Sequence, residues 1–256
     1  MSKFVLYFTK TGYVKYTSHL DMIRLFKRIF KRSGLDLEHS QGYNPHPKMV
    51  FAQPLSLGFS SIGEILEFST IKDFSEQDIE IGLKNYLPNG MDIVRIKEKN
   101  SGKTVASKIR GADYLIVAEE EPLTEDIINK FLEQKEIPVP KRKKKKVGRR
   151  GKKITEIIEI DIKPLIKSLK LIKREDILKD TNNKRLIKDP QLIQIERLNE
   201  FFHNFCYYDT VILASLNTGS DSNLNPELLL KALGQYSNRE LSLENCEIMR
   251  LSLNEF

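Results

Sequence analysis

Lys3-Phe-Val-Leu-Tyr-Phe-Thr-Lys10 and, after Gly12, Ser18-His-Leu-Asp-Met-Ile-Arg-Leu-Phe-Lys-Arg-Ile-Phe-Lys-Arg-Ser33 decide the fold. The first stretch reads as an alternating or buried strand, continued through Val14–Thr17. In the second, at about 100° per residue, Met22, Ile23, Phe26, Ile29 and Phe30 share one side of a helix. Outward from there, strands are expected at 35–39, 48–54, 64–70 and 91–97 and a second helix at 75–87. Two helices alternating with strand pairs suit a ferredoxin-like βαββαβ unit with one additional strand. After the polar segment Lys97–Ser107 the pattern recurs, with strands at 113–118, 137–141, 153–160, 210–216 and 247–253 and helices at 124–133 and 225–233. Ser75, Thr124 and Asn225-Pro226 are the residue types that cap the orphan amides of helix starts. The expected class is therefore α+β: two tandem ferredoxin-like (βαββαβ) units with antiparallel sheets, over residues 1–98 and 108–256. The insertion 161–209 has no secure place, although Ile162-Lys-Pro-Leu-Ile-Lys-Ser-Leu169 reads as a short helix.

Composition narrows the function. Of 256 residues 40% are hydrophobic and 30% charged, which describes a globular chain able to bury sizeable cores. No uninterrupted apolar run of about 18 residues occurs, and the first residues lack a leader's long apolar region, so a cytoplasmic location and no membrane partner are expected. Cys206 and Cys246 have no neighbouring cysteine, so this chain alone builds no iron–sulfur cluster or zinc ribbon, and no metal or cofactor is expected on it. The formal charge is +7, but Lys141-Arg-Lys-Lys-Lys-Lys-Val-Gly-Arg-Arg-Gly-Lys-Lys153 holds ten cations and no acid; the other residues sum to −3. Residues 141–153 are thus a concentrated cationic arm rather than part of a generally basic surface.

Three features carry candidate chemistry. In Ser40-Gln-Gly-Tyr-Asn-Pro-His-Pro-Lys48, Gly42, Pro45 and Pro47 fix an irregular loop on which Gln41, Tyr43, Asn44, His46 and Lys48 can meet a flat, polar or anionic ligand such as a nucleotide; the same residues also suit a rigid turn. On the first helix, Arg24, Lys27, Arg28 and Lys31 recur at one-turn spacing opposite the apolar side, a stripe whose mutual repulsion a polyanion would relieve. In the arm, Lys143, Lys144, Lys145 and Lys146 are candidate phosphate contacts. Ser18 and Asp21 fit a capping box, leaving His19 free beside the helix start. His19 and His46 are expected to approach one another, and either suits acid–base work, whereas His19, His39, His46 and Asp21 match no metal-ligand spacing. Ser101-Gly-Lys-Thr104 fails as a phosphate-binding loop because Lys97 stands where the first glycine is needed.

Lys10-x-Gly12, Tyr16-x-Ser-His-Leu-Asp21, Arg24…Arg28…Arg32-Ser-Gly34, the 40–48 loop, Phe51-Ala-x-Pro-Leu-x-Leu-Gly58 and Ser61-x-Gly-Glu64 resemble the radical SAM-linked protein family, bacterial domains found alone or fused behind radical SAM enzymes. The likeness covers roughly residues 3–97 and continues more weakly through Glu159–Pro164 and Gly219–Leu233. It implies a radical SAM protein as partner, which would carry the iron–sulfur cluster and S-adenosylmethionine, since this chain has no Cys-x-x-x-Cys-x-x-Cys. It transfers no catalytic residue. The expected architecture is also similar to that of CRISPR repeat-processing endoribonucleases, an analogy of fold alone. The leading expectation is an RNA-binding accessory protein, not an enzyme by itself, that presents transfer or ribosomal RNA to a radical SAM partner. Two alternatives stand beside it: an RNA-processing or small-molecule enzyme using His19 and His46, and a protein-binding adaptor without nucleic acid.

Overall fold

A computed structural model describes residues 2–100, 102–118, 123–147, 152–172, 210–219 and 222–255. The first half runs β1 (Lys3–Lys10), α1 (His19–Ser33), β2 (Met49–Phe51), β3 (Ser60–Ser69), α2 (Glu76–Lys84) and β4 (Ile93–Glu98). The second runs α3 (Val105–Lys108), β5 (Ile109–Ala118), α4 (Glu125–Glu133), β6 (Pro138–Val147), β7 (Lys152–Asp161), β8 (Ile166–Ile172), β9 (Thr210–Asn217), α5 (Pro226–Ser237) and β10 (Cys246–Glu255). The fold is α+β. Alternation on β1 places Phe4, Leu6 and Phe8 with Leu66 and Phe68 of β3 under Phe26, Ile29 and Phe30 of α1 and Ile79 and Leu83 of α2. The second core packs Ile116, Ile212 and Ile248 of the sheet against Ile128 and Phe131 of α4 and Leu229 and Leu233 of α5. Helix starts follow their caps: the Ser18 hydroxyl accepts from the Asp21 amide at 3.2 Å, and Ser75 and Asp78 form a reciprocal box.

The expected two antiparallel sheets are in fact one mixed sheet of eight strands. Its order is β4-β1-β3-β10-β5-β9-β8, with β2 also on β3. The strand β2 is only three residues long and covers the far end of β3, Leu66–Phe68. That leaves the start of β3 free to pair with β10, parallel, at Ser60↔Met249 and Ser61↔Arg250, while all other pairings are antiparallel. Gly63 makes the join possible: a Cβ there would lie 2.5 Å from the Leu251 carbonyl oxygen. Gly63→Ala should therefore destabilise the fold by about 1–3 kcal/mol, read as a lowered urea midpoint, whereas an unchanged midpoint would show that the seam yields at little cost.

Local expectations are corrected at three places. Val14–Thr17 does not continue β1; Gly12 at φ 55° starts a 3₁₀ turn over Gly12–Tyr16 closed by the Val14 amide on the Thr11 carbonyl. Residues 35–39 pair only through the isolated bridges Leu37↔Thr70 and His39↔Pro47. Ile162–Leu169 is not a helix. Pro164 confines the turn to Lys163–Leu165, and β8 follows because its Leu169 is buried in the second core beside β9.

Candidate functional site

Hydrogen bonds close the 40–48 loop at its neck. The Ser40 amide donates to the His46 carbonyl at 2.8 Å, and the His46 amide donates to the Ser40 hydroxyl at 3.0 Å. Beyond that neck Gly42 sits at φ 125°, and Gln41, Tyr43, Asn44 and His46 are exposed, Tyr43 completely so at 110%. Lys48 is placed differently: its ammonium pairs with the carboxylate of Glu38 on the opposite side of the loop's stem. The loop thus presents an aromatic face, two amides and an imidazole, braced by its own backbone.

On α1 the cations Arg24, Lys27, Arg28 and Lys31 are all exposed. The Asp21 carboxylate accepts from Arg24 at 2.8 Å, so among the described residues an ion pair meets the stripe at its first cation, in the helix's opening turn. The Ser18 hydroxyl, then Arg24, holds the Asp21 carboxyl below the usual carboxylate value. His19 lies edge-on to Phe51, ring centroids 5.4 Å apart, extending the cluster in which Phe51 also meets Phe8 and Phe26. No described ring contact or hydrogen bond joins His19 to His46; the first imidazole packs, the second stands on the exposed loop. Among the described residues no group of three or more His, Cys, Asp and Glu comes together to hold a metal.

The cationic run forms most of β6, whose antiparallel register with β7 extends from Pro138↔Asp161 to Val147↔Lys152. This ribbon is a separate two-stranded sheet, hydrogen-bonded to no other strand among the described residues. Its base is anchored: Val139 and Ile162 are fully buried, and the Asp161 carboxylate accepts from the Ile137 and Lys163 amides at 2.8 and 3.0 Å. Above the base Lys141 and Arg142 are exposed. Consecutive strand residues face opposite sides, so the exposed Lys141 and Arg142 charge both faces of the ribbon.

Sequence reading missed a buried charge cluster at the seam. Arg250 of β10 and Glu64 of β3 are 1% and 6% exposed at the side chain, and the Arg250 Nε and Nη2 donate to Glu64 Oε1 at 3.0 and 2.5 Å. Nη2 also donates to the Gln53 carbonyl at 2.8 Å. Burial opposes the Arg250 charge, but Glu64 and Tyr114 outweigh it, and the guanidinium is held more firmly protonated than usual. Beside them Lys10, 2% exposed, donates to the Thr17 carbonyl at 3.0 Å. Burial, reinforced by Arg250 and partly offset by Glu64, lowers its pKa.

These features define an α+β protein with an aromatic loop, a cationic helix face and a cationic ribbon. The chain belongs to the family described as uncharacterized protein conserved in bacteria (DUF2344), whose model matches residues 3–226. No curated protein matches it. Among solved structures it is similar to a chain in the crystal structure of a Cbf5-Nop10-Gar1 complex, at 11% identity and a TM-score of 0.40. The likeness covers 96% of this chain and 47% of that one, so the chain spans about half the length of that neighbour. No helix among the described residues is long and apolar enough to cross a membrane.

Proposed function

We propose that this protein is an RNA-binding accessory factor, built as two ferredoxin-like units, that presents a structured RNA to a radical SAM enzyme. The observation that carries the RNA reading is the β6–β7 ribbon, a cation-dense strand pair outside the main sheet with its first cations, Lys141 and Arg142, in solvent. Charges on both of its faces suit contact with phosphates and cannot be buried in a core. Two further observations support it: the exposed stripe of α1 and the fully exposed Tyr43. The ribbon and stripe supply sequence-independent attraction, and Tyr43 with Asn44 and His46 engages an unpaired base. The radical SAM partner rests on the motif resemblance of residues 3–97. Co-purification from cells tests both parts, with RNA and a radical SAM protein expected together; protein without nucleic acid would favour the adaptor reading instead.

For the loop, Tyr43→Ala is expected to fold normally, because the neck bonds involve Ser40 and His46 rather than Tyr43. It should weaken recognition of the cognate RNA about 5- to 150-fold, the range for loss of one stacked base, and leave the salt dependence nearly intact. Thermal melting with RNA titration checks this: a lowered melting temperature assigns the loop a structural role, and unchanged affinity removes it from the interface.

A further inference from the structure

A cavity of about 390 Å³ lies between the two halves, close to the seam of β3 and β10. Its first-half wall carries Lys15, Tyr16 and Leu57; its second-half wall carries Leu243, Glu244 and Glu247. Twelve large hydrophobic side chains are exposed among the described residues, and three of them, Tyr16 at 60%, Leu57 at 58% and Leu243 at 42%, line this one cavity. Exposed apolar side chains scattered singly need no explanation, but three around one opening, drawn from both halves, mark a surface that expects a flat apolar occupant. Tyr16 already has the Lys15 ammonium 5.4 Å from its ring centroid and still remains mostly in solvent.

The walls are held in place. The Gly58 amide donates to the Lys15 carbonyl at 2.9 Å, which ties the turn bearing Tyr16 to the loop bearing Leu57. Behind them the Ser60↔Met249 and Ser61↔Arg250 pairing and the buried Arg250–Glu64 ion pair lock one half to the other. Within the cavity two carboxylates outnumber one ammonium, which disfavours a phosphate and suits a base edge rich in N–H donors. Guanine, with adjacent N1–H and N2–H₂ donors, matches a carboxylate better than uracil, whose single N–H lies between two carbonyls. A second groove of about 570 Å³ shares Leu243 and Glu244 with the cavity and adds Lys141, Arg142 and Lys231, with Glu227 as its other acid. Phosphates flanking a base in the cavity would follow that groove toward the ribbon.

We infer that the cleft between the halves takes one unstacked nucleobase, guanine in preference, from an RNA strand whose phosphates run past Lys231, Lys141 and Arg142 to the ribbon. The inference rests on the RNA-binding reading above and adds to the Tyr43 loop a second base-reading site. The test uses fluorescein-labelled twelve-nucleotide RNAs, all uridine or with a single central guanosine or adenosine, titrated at 50 and 200 mM salt. For the intact chain the central guanosine should tighten binding about 5- to 150-fold over uridine, with adenosine between them. Tyr16→Ala and, from the opposite wall, Leu243→Ala should each remove that increment and keep the salt slope, and Glu247→Gln with Glu244→Gln should narrow the gap between guanosine and adenosine. Salt-dependent binding that is indifferent to the central base, or an increment that survives both wall variants, overturns the cleft site and leaves the RNA reading standing. Absence of salt-dependent binding to any of the RNAs overturns both.

Discussion

Arg250→Ala is expected to cost about 3–5 kcal/mol of folding stability, the largest loss of any single change described here. The substitution leaves Glu64 buried without the guanidinium that donates to it twice, and frees the Gln53 carbonyl as well. Lys10 also acts on Glu64 through space, but its ammonium donates to the Thr17 carbonyl. Glu64→Leu should cost a comparable amount, because it strands Arg250 and leaves Lys10 beside an unneutralised guanidinium in the same buried space. The double replacement Arg250→Met with Glu64→Leu should recover most of the loss, since an apolar pair of similar volume removes both unpaired charges. Urea unfolding of the three variants checks the cycle. A single-variant loss below about 1 kcal/mol would mean that water or Lys10 satisfies the remaining charge, and the seam would not depend on the pair.

Replacing Lys143, Lys144, Lys145 and Lys146 together by Ser should change RNA binding more than any other surface substitution. Three to four phosphate contacts at about 0.7–0.9 log units each lower the slope of affinity against salt by about 2–4. Between 50 and 200 mM salt the intact chain should consequently lose about 20- to 150-fold more affinity than the variant. Stability should hardly move, because the ribbon's anchor is Val139, Ile162 and the Asp161 carboxylate at its base. Equal slopes for the two proteins would take the ribbon out of the RNA footprint and remove the observation on which the proposed function stands.

Much of the fold was legible because local physics and global packing agree in it. Phe4, Leu6 and Phe8 alternate as a strand must, and Met22, Phe26, Ile29 and Phe30 repeat as a helix must, and both sets are buried together. The seam was not legible, because period-2 patterning says which residues face a core and nothing about which distant strand lies alongside. Ser60 and Met249 carry no mark of their pairing across the length of the chain. The short helix expected at Ile162–Leu169 failed for a related reason: eight residues with mixed periodicity take the conformation their neighbour offers, and β9 offered an open edge. At the candidate site, the exposed loop, helix stripe and ribbon were readable from residue type alone. The ion pair of Lys48 was not readable, because its partner, Glu38, lies ten positions earlier and meets it only once the loop closes.

The position of β10 also sets an order of events. It is the last strand in chain order, yet it lies between β3 and β5 in the middle of the sheet, and the ion pair that holds it spans 186 residues. A ribosome releasing the chain from its first residue delivers β1 to β4 early enough for the first half to gather its own core, while the start of β3 keeps an unpaired edge. The second half has β5, β8 and β9 ready before their fourth strand exists. Both open edges face the same vacancy until synthesis reaches Cys246, so the nascent protein passes through a stage in which two half-sheets await one shared strand, and joining strands so distant in sequence favours slow maturation.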